Sequence, residues 1–254
     1  MRAAPRFSLC LLLVLLWCLP ARAAGDPWKA KPRCVFGMPY IGRAVQPDQA
    51  GIVINVLRLV FEGQGVEARH EVMPYERAAD EVGKGTIQCT LDVGNRHPKS
   101  LPTERPLLNY DLAAARLAAT PWKGVESLRG TRVAYLQGFD LGELVPVPFT
   151  PQPVFDLASA FPMLEDKFVA FILDDVRLLD RALRDSRIPS HLFAVEPITS
   201  LPVRLIFAPT DEGRRYRDIY DRRMRELAAS GELARVLLES GLSQERVDRL
   251  LKAR

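Results

Sequence analysis

The sequence predicts an α/β fold in two lobes, with two mixed, mainly parallel sheets that carry helices on both faces. Three observations support this expectation. Short apolar strands alternate with amphipathic helices from Arg33 onwards, which is typical of a mainly parallel sheet. Two extended apolar segments, 112–119 and 202–208, bracket a second set of strands. The chain after residue 208 has helical periodicity only, so its helices must pack on a sheet that is already built, and the chain returns to lobe one.

Lobe one begins with a β-α-β-α-β pattern. Alternating or continuous apolar residues predict strands at 34–38, 66–72 and 87–93, and helical spacing predicts helices at 48–62 and 75–85, each ended by glycine. The right-handed crossover rule places the three strands in one sheet. In the flavodoxin-like order 2-1-3, the first and third strands are neighbours.

Lobe two follows a proline-containing loop at 94–108 and the first extended segment. We expect lobe one to comprise residues 24–116 plus 203–254, and lobe two residues 117–202. Segment 145–153 holds four prolines and is predicted to be irregular. The regular elements predicted for lobe two are a strand at 131–136, a short helix at 141–144, a helix at 156–166, a strand at 168–173 and a helix at 176–183.

The first residues are typical of a cleaved export signal. Arg2 and Arg6 precede an apolar run at 9–19, and the small-residue exit Ala21-Arg22-Ala23 suits a signal peptidase. The run is too short to cross a hydrocarbon core of about 30 Å, although an uncleaved anchor remains an alternative. A lipidated Cys18 is disfavoured by the bulky residue before it. We therefore expect residues 1–23 to be removed and the mature chain to be periplasmic.

The charge of the chain argues against nucleic acid as a partner. Removing residues 1–23 takes away three basic residues and no acid, so the formal net charge falls from +4 to +1. Without a run of lysine or arginine, neither nucleic acid nor an anionic membrane surface is expected as the main partner.

Two of the four cysteines, Cys10 and Cys18, lie in the predicted signal. The remaining pair, Cys34 and Cys89, lies on strands that the 2-1-3 order makes neighbours. In an oxidising compartment we expect these two residues to form a disulfide. Two buried free thiols are the alternative.

A set of motifs resembles family 3 of the solute-binding proteins, the polar amino-acid binders of ABC transporters. The resemblance covers roughly residues 33–240, and its evidence is the order and spacing of motifs that are each weak alone. They are Gly37-Met38-Pro39-Tyr40, Pro74-Tyr75-Glu76-Arg77-Ala78, Gly83-Lys84-Gly85, Pro106-Leu107, Ser127-Leu128-Arg129-Gly130-Thr131-Arg132-Val133-Ala134 with Gly138, Met163-Leu164-Glu165-Asp166-Lys167-Phe168-Val169-Ala170 with Asp174-Asp175, and Gly231-Glu232-Leu233.

The resemblance implies a periplasmic-binding-protein-like fold of type II, a monomer that closes on a small polar solute by hinge rotation. The hinge would be the two crossings at 112–119 and 202–208. An amino acid or related solute would be delivered to an ABC permease. Diverged proteins of this fold also serve as sensors or as accessory proteins of periplasmic quinoprotein dehydrogenases, so another periplasmic or membrane protein is the alternative partner.

The resemblance also implies the groups that hold a solute's charged ends. A cation after the third strand would bind a carboxylate, and either Arg96 or Lys99 matches that position, Arg96 by chemistry and Lys99 by spacing. Asp174, at the end of a strand in lobe two beside Asp175, would bind an amine. Asp174 could instead cap the following helix.

The remaining expected contacts complete a candidate cleft. Tyr40 and Tyr75 would supply aromatic walls, with burial in the core as the alternative for both. Asp92 would join them in lobe one, and Gly138 and Phe139 would close from lobe two. Asp140 follows them and could satisfy the backbone amides that would otherwise bind an anion.

The sequence offers little for catalysis. Its three histidines, His70, His97 and His191, are scattered without metal-site spacing, and the sequence lacks a Gly-x-Ser-x-Gly elbow or a phosphate loop. We expect no enzyme activity, metal or cofactor. An acid/base pair formed by Asp92 and Asp174 is the catalytic alternative.

Overall fold

The computed structural model describes residues 32–41, 44–46, 50–94, 97–137 and 141–252. The predicted export signal, with Cys10 and Cys18, lies outside the described residues. Within the described residues, no helix is both long enough and apolar enough to span a bilayer.

The sheet of lobe one has the predicted strand order. Strand β1 (Arg33–Gly37) lies between β2 (Glu67–Glu71) and β3 (Cys89–Val93), parallel to both. Helices α1 (Ile52–Phe61) and α2 (Tyr75–Lys84) form the two crossovers. Because all three strands run the same way, the loops that follow them meet at one edge of the sheet, which is where open α/β sheets bind ligands.

Two long strands connect the lobes. Strand β5 (Leu108–Leu117) pairs antiparallel with β9 (Phe193–Phe207) along its whole length, with a bulge where Ile198 is left unpaired. Strand β9 also pairs with β3 and with the short β4 (Leu101–Pro102), and β5 pairs with lobe two. The strands of both lobes therefore form one continuous nine-stranded set.

Lobe two repeats the parallel arrangement on a smaller scale. Strand β6 (Arg132–Leu136) lies between β7 (Thr150–Val154) and β8 (Phe171–Asp175), and β8 continues to β5. Helices α3 (Ala160–Glu165) and α4 (Val176–Ser186) cover one face. A 3-10 turn (Leu141–Leu144) and Trp122 pack on the other.

The prediction that 145–153 is irregular is wrong at its end, because β7 contains Pro151 and Pro153. The amide of Thr150 bonds towards β6, at Thr131. Amides alternate in direction along a strand, so the two proline nitrogens point away from β6. Strand β7 has no other partner strand in the described part of the chain, and prolines are tolerated in such an edge strand.

The three predicted C-terminal helices pack on the core of lobe one. They are α5 (Asp211–Ser230), α6 (Glu232–Glu239) and α7 (Gln244–Lys252). Tyr216, Tyr220 and Met224 of α5 are buried in the same cluster as residues of β1, α1 and β3. The return of the chain therefore completes the core of lobe one.

The predicted disulfide is absent from this structure. Cys34 and Cys89 are buried free thiols whose Sγ atoms are 3.7 Å apart, whereas a disulfide needs about 2.05 Å. Cys89 lies opposite Phe36, so Cys34 is its diagonal neighbour and not its direct partner. Burial, followed by the hydrogen bond and charge of Cys89, raises the pKa of the Cys34 thiol well above its usual value.

We therefore expect both thiols to resist alkylation in the folded protein, since the thiolate is the reactive form and neither sulfur is exposed. Peptide mapping after iodoacetamide treatment should find Cys34 and Cys89 unmodified before unfolding in guanidinium and modified after it. Lys99→Cys, which places a thiol at an exposed position, is the control and should react at once. Failure to modify the unfolded, unreduced chain would show instead that the two residues are bridged.

Two glycines give opposite expectations for the same substitution. Gly213, in the first turn of α5, lies so close to Ala208 that an added Cβ would be 2.0 Å from its carbonyl oxygen, whereas nothing lies within 4 Å of a Cβ at Gly83 in α2. Gly213→Ala should lower the free energy of unfolding by about 2 kcal/mol or more. Gly83→Ala should raise it by about 0.5–1 kcal/mol. Denaturant unfolding measures both, and equal effects would contradict the close packing of Gly213 against Ala208.

Candidate functional site

The carboxyl edges of the two sheets face each other. Gly94, directly after β3, lies so close to lobe two that a Cβ there would be 3.1 Å from Cδ2 of Leu144. The Leu144 side chain packs against the cores of both lobes. The segments that follow β3 and β6 therefore meet, and we refer to the carboxyl edges on either side of this contact as the candidate cleft.

Three side chains meet at the edge of lobe one. Tyr75 is the first residue of α2, Asp92 lies near the end of β3, and His97 follows that strand. The Tyr75 hydroxyl lies 3.4 Å from Oδ1 of Asp92 and 3.2 Å from Nε2 of His97. Tyr75 and Asp92 are buried. This tyrosine is therefore both a packed aromatic residue and part of a polar cluster at the cleft.

The other residues predicted for lobe one are placed differently. Tyr40 is 47% exposed and meets the ring of His70 edge-on, with 6.0 Å between centroids. The alternative that Tyr40 belongs to the core is therefore wrong. Lys99 is exposed in the turn after His97, and Arg96 lies outside the described residues.

Two adjacent carboxylates end β8, and they have different roles. Asp175 caps α4, since its Oδ1 accepts the amide of Arg177 at 2.9 Å. Both oxygens of Asp175 also bind the guanidinium of Arg177, at 2.7 and 2.8 Å. The capping role that was the alternative for Asp174 therefore belongs to its neighbour.

Asp174 is buried, and the described groups that donate hydrogen bonds to its carboxylate are neutral. Its Oδ1 accepts hydrogen bonds from the Tyr110 hydroxyl and from the Asp175 amide, each at 2.7 Å. Within the described part of the chain, no lysine, arginine or histidine forms an ion pair with it. Burial raises the pKa of Asp174 to about 6, although the Tyr110 hydrogen bond acts in the opposite direction.

Tyr110 is the site residue that sequence reasoning missed. It lies on β5 and packs against the cores of both lobes. Burial, followed by the charge of Asp174, raises the pKa of the Tyr110 hydroxyl well above its usual value, so the hydroxyl is a donor at neutral pH. Tyr110 stands just before the predicted crossing at 112–119, and nothing in the sequence connects it with Asp174.

Asp111, the residue after Tyr110 in β5, is bound by charged residues of lobe one. Asp111 forms ion pairs with Arg246 and Arg249 of α7 and accepts a hydrogen bond from the Ser200 hydroxyl at 2.6 Å. Burial acts to raise the pKa of Asp111, but the Ser200 hydrogen bond and Arg246 outweigh it and hold that pKa below its usual value. This crossing strand is thus tied to α7 at Asp111 and to lobe two at Tyr110.

The remaining predictions for lobe two cannot be placed, because Gly138, Phe139 and Asp140 lie outside the described residues. Phe155 follows β7 at the same carboxyl edge and is 90% exposed. No group of three or more histidine, cysteine or acidic residues suited to a metal ion occurs in the described part of the chain.

The fold is shared with solved binding proteins and sensor domains. The GluR0 ligand-binding core in complex with L-glutamate is 17% identical, with a TM-score of 0.67 over 86% of this chain and 98% of that chain. An ABC uptake transporter substrate-binding protein from Streptococcus pneumoniae, with bound histidine, is 13% identical, with a TM-score of 0.62 over 82% of this chain and 92% of that one. A histidine kinase sensor domain similar to periplasmic binding proteins is 13% identical, with a TM-score of 0.66 over 82% and 96%.

These similarities confirm, at the level of fold, the resemblance that the motifs indicated. No model of a protein family matches the sequence, and no curated protein matches it either. Identities of 13–17% fit a diverged chain with the periplasmic-binding-protein fold.

The buried charge on Asp174 gives a test by stability. A pKa of about 6 in the folded protein, above the usual 3.8, means that the stability this residue contributes in acid is lost as pH rises through 6. Asp174→Asn should therefore raise the free energy of unfolding at pH 8, by at most about 3 kcal/mol, and have little effect at pH 4. Urea unfolding at the two pH values measures this. Asp166→Asn, at an exposed carboxylate, is the control, and a pH-independent effect of Asp174→Asn would contradict the assignment.

Proposed function

We propose that the protein captures a small polar solute with an amine group, an amino acid or a related compound, between its two lobes. One observation carries the proposal: Asp174 is buried at the cleft edge with neutral donors only among the described residues. A buried carboxylate without a counter-ion is unfavourable. An ammonium group of a bound solute would supply the missing charge.

The solute would be held by residues from both lobes. In this proposal Asp174 binds the amine, and Gly138 and Phe139 close over the solute from lobe two. Lobe one would contribute Tyr40, Tyr75, Asp92 and Arg96. Arg96 is preferred to Lys99 as the contact for a solute carboxylate because a guanidinium can bind a carboxylate with two hydrogen bonds.

Closure would occur about the crossings β5 and β9. The proposed moving bodies are residues 24–116 plus 203–254 and residues 117–202. The buried clusters support this division, because most residues of the largest one come from the first body and two others come mainly from the second. The chain passes between these two bodies at β5 and β9, and hinge closure takes place at such connections.

The proposed location is the periplasm, after removal of residues 1–23, and the proposed partner is an ABC permease that receives the solute from a monomer. Similarity in fold to ABC transporter substrate-binding proteins supports this role. The chain would bind its solute without transforming it, as a binding protein and not an enzyme.

A second candidate is a sensor or accessory module of the same fold. The similarity in fold to a histidine kinase sensor domain is the observation that supports it. A permease and an ATPase encoded beside this gene would support transport. A neighbouring kinase or dehydrogenase would support the second candidate.

A thermal-shift screen with amino acids, polyamines and small carboxylates tests solute binding. A solute at about a hundred times its dissociation constant adds about 2.7 kcal/mol, which raises Tm by about 5–10 °C for a chain of this size. Asp174→Ala should weaken an amine-bearing solute at least tenfold, whereas Asp166→Ala should not. A flat response from folded protein across the panel would overturn the solute-binding proposal.

A further inference from the structure

The hydrogen bond between Tyr110 and Asp174 has charged neighbours that are already engaged. On β8 and α4, Asp175 and Arg177 neutralise each other. On β5, Asp111 is paired with Arg246 and Arg249 of α7. Among the described residues, the charge that acts on the pKa of Asp174 is that of Asp175, and the hydrogen bonds to this carboxylate come from the Tyr110 hydroxyl and one backbone amide.

Such an environment lets Asp174 hold or lose a proton near neutral pH. Burial favours the neutral acid, and donors that point at the carboxylate favour the ion. With a pKa of about 6, roughly nine in ten molecules hold the proton at pH 5 and very few do at pH 7.5. The carboxylate is thus available to a cation only in the upper part of this range.

We propose that an ammonium-bearing solute and a proton compete for Asp174, and that Tyr110 is the positioning residue that keeps this carboxylate ionised for binding. The inference rests on the proposed function, because it assumes that the solute amine lies at Asp174. It adds that capture is proton-linked and that a residue of the crossing strand sets the pH at which capture is lost.

The proton balance is simple. The solute enters as its ammonium form and keeps its own protons, while the carboxylic acid of Asp174 loses its proton to the buffer. About half a proton should therefore be released per solute bound at pH 6, and almost none at pH 8. Calorimetry in buffers of different ionisation enthalpy counts these protons.

Tyr110 acts on the position and charge of Asp174 without contacting the solute. Tyr110→Phe keeps the ring that packs on both cores and removes the donor hydroxyl. A hydrogen bond to a charged group stabilises that charge, so its loss should shift the inflection in affinity upwards by about one pH unit. Tyr220→Phe is the matched control, because the buried hydroxyl of Tyr220 has no hydrogen-bond partner among the described residues.

The experiment uses the purified protein and L-arginine, L-lysine and putrescine, whose ammonium and guanidinium groups do not titrate between pH 5 and 8. The dissociation constant of whichever binds most tightly is measured across that range. We expect binding about tenfold weaker at pH 5 than at pH 7.5, with the inflection near 6 in the unmodified protein and in Tyr220→Phe, and near 7 in Tyr110→Phe. His97→Asn should not change the pH of the inflection. This result would assign the inflection to Asp174 and not to His97.

The outcomes separate this inference from the function on which it rests. Binding that does not change with pH would overturn proton linkage and leave solute capture intact. The same holds if the unmodified protein and Tyr110→Phe show their inflection at the same pH. If none of the probes binds, capture of these amines fails, and the proton site is measured from stability instead. In that case the stabilisation by Asp174→Asn should level off near pH 6 in the unmodified background and near pH 7 in the Tyr110→Phe background, and an unchanged plateau pH would overturn the inference.

Discussion

The pairing of β5 with β9 is the constraint on which the rest of the structure depends. These antiparallel strands connect β3 of lobe one to β8 of lobe two, so they fix how the two parallel sheets are placed. Because both sheets turn their carboxyl edges towards the same space, loops from distant parts of the sequence meet there. The bulge at Ile198 absorbs one extra residue without breaking the ladder.

The charges at the cleft follow from a division between two adjacent aspartates. Asp175 uses its oxygens for the end of α4 and for Arg177, which stabilises lobe two. Asp174 receives only neutral donors from the described residues, so its ionised form is unfavourable without a counter-ion. Burial of this carboxylate beside the neutral donors of the described residues costs stability. A site of this kind is typical of function, because a ligand can supply the missing charge.

Much of the architecture could be predicted from the sequence, and the failures have identifiable causes. Period-two and helical spacing predicted β1–β3, α1 and α2, and the crossover rule predicted their order. Strand β9 begins at Phe193 and not at residue 202, because its first half is partly exposed and carries little apolar signal. Strand β7 was missed because proline is compatible with a strand only at an edge, and edges are a property of the whole sheet.

The candidate site was harder to predict from the sequence than the fold. Asp174 could be predicted because it ends a strand in a motif with a known resemblance, and its burial follows from the parallel sheet around it. Its partner Tyr110 could not, since the two residues lie 64 positions apart and meet only because β5 pairs with β8.

The hydroxyl that binds Asp174 belongs to β5, the strand that runs from lobe one into lobe two. Asp111, the next residue, is bound to α7, so β5 cannot slide without disturbing ion pairs in lobe one. Any rotation of lobe two relative to this strand must change the geometry between the Tyr110 hydroxyl and the carboxylate. Since a charge-assisted hydrogen bond weakens steeply with poor geometry, the proton affinity of Asp174 and the relative placement of the lobes are physically coupled.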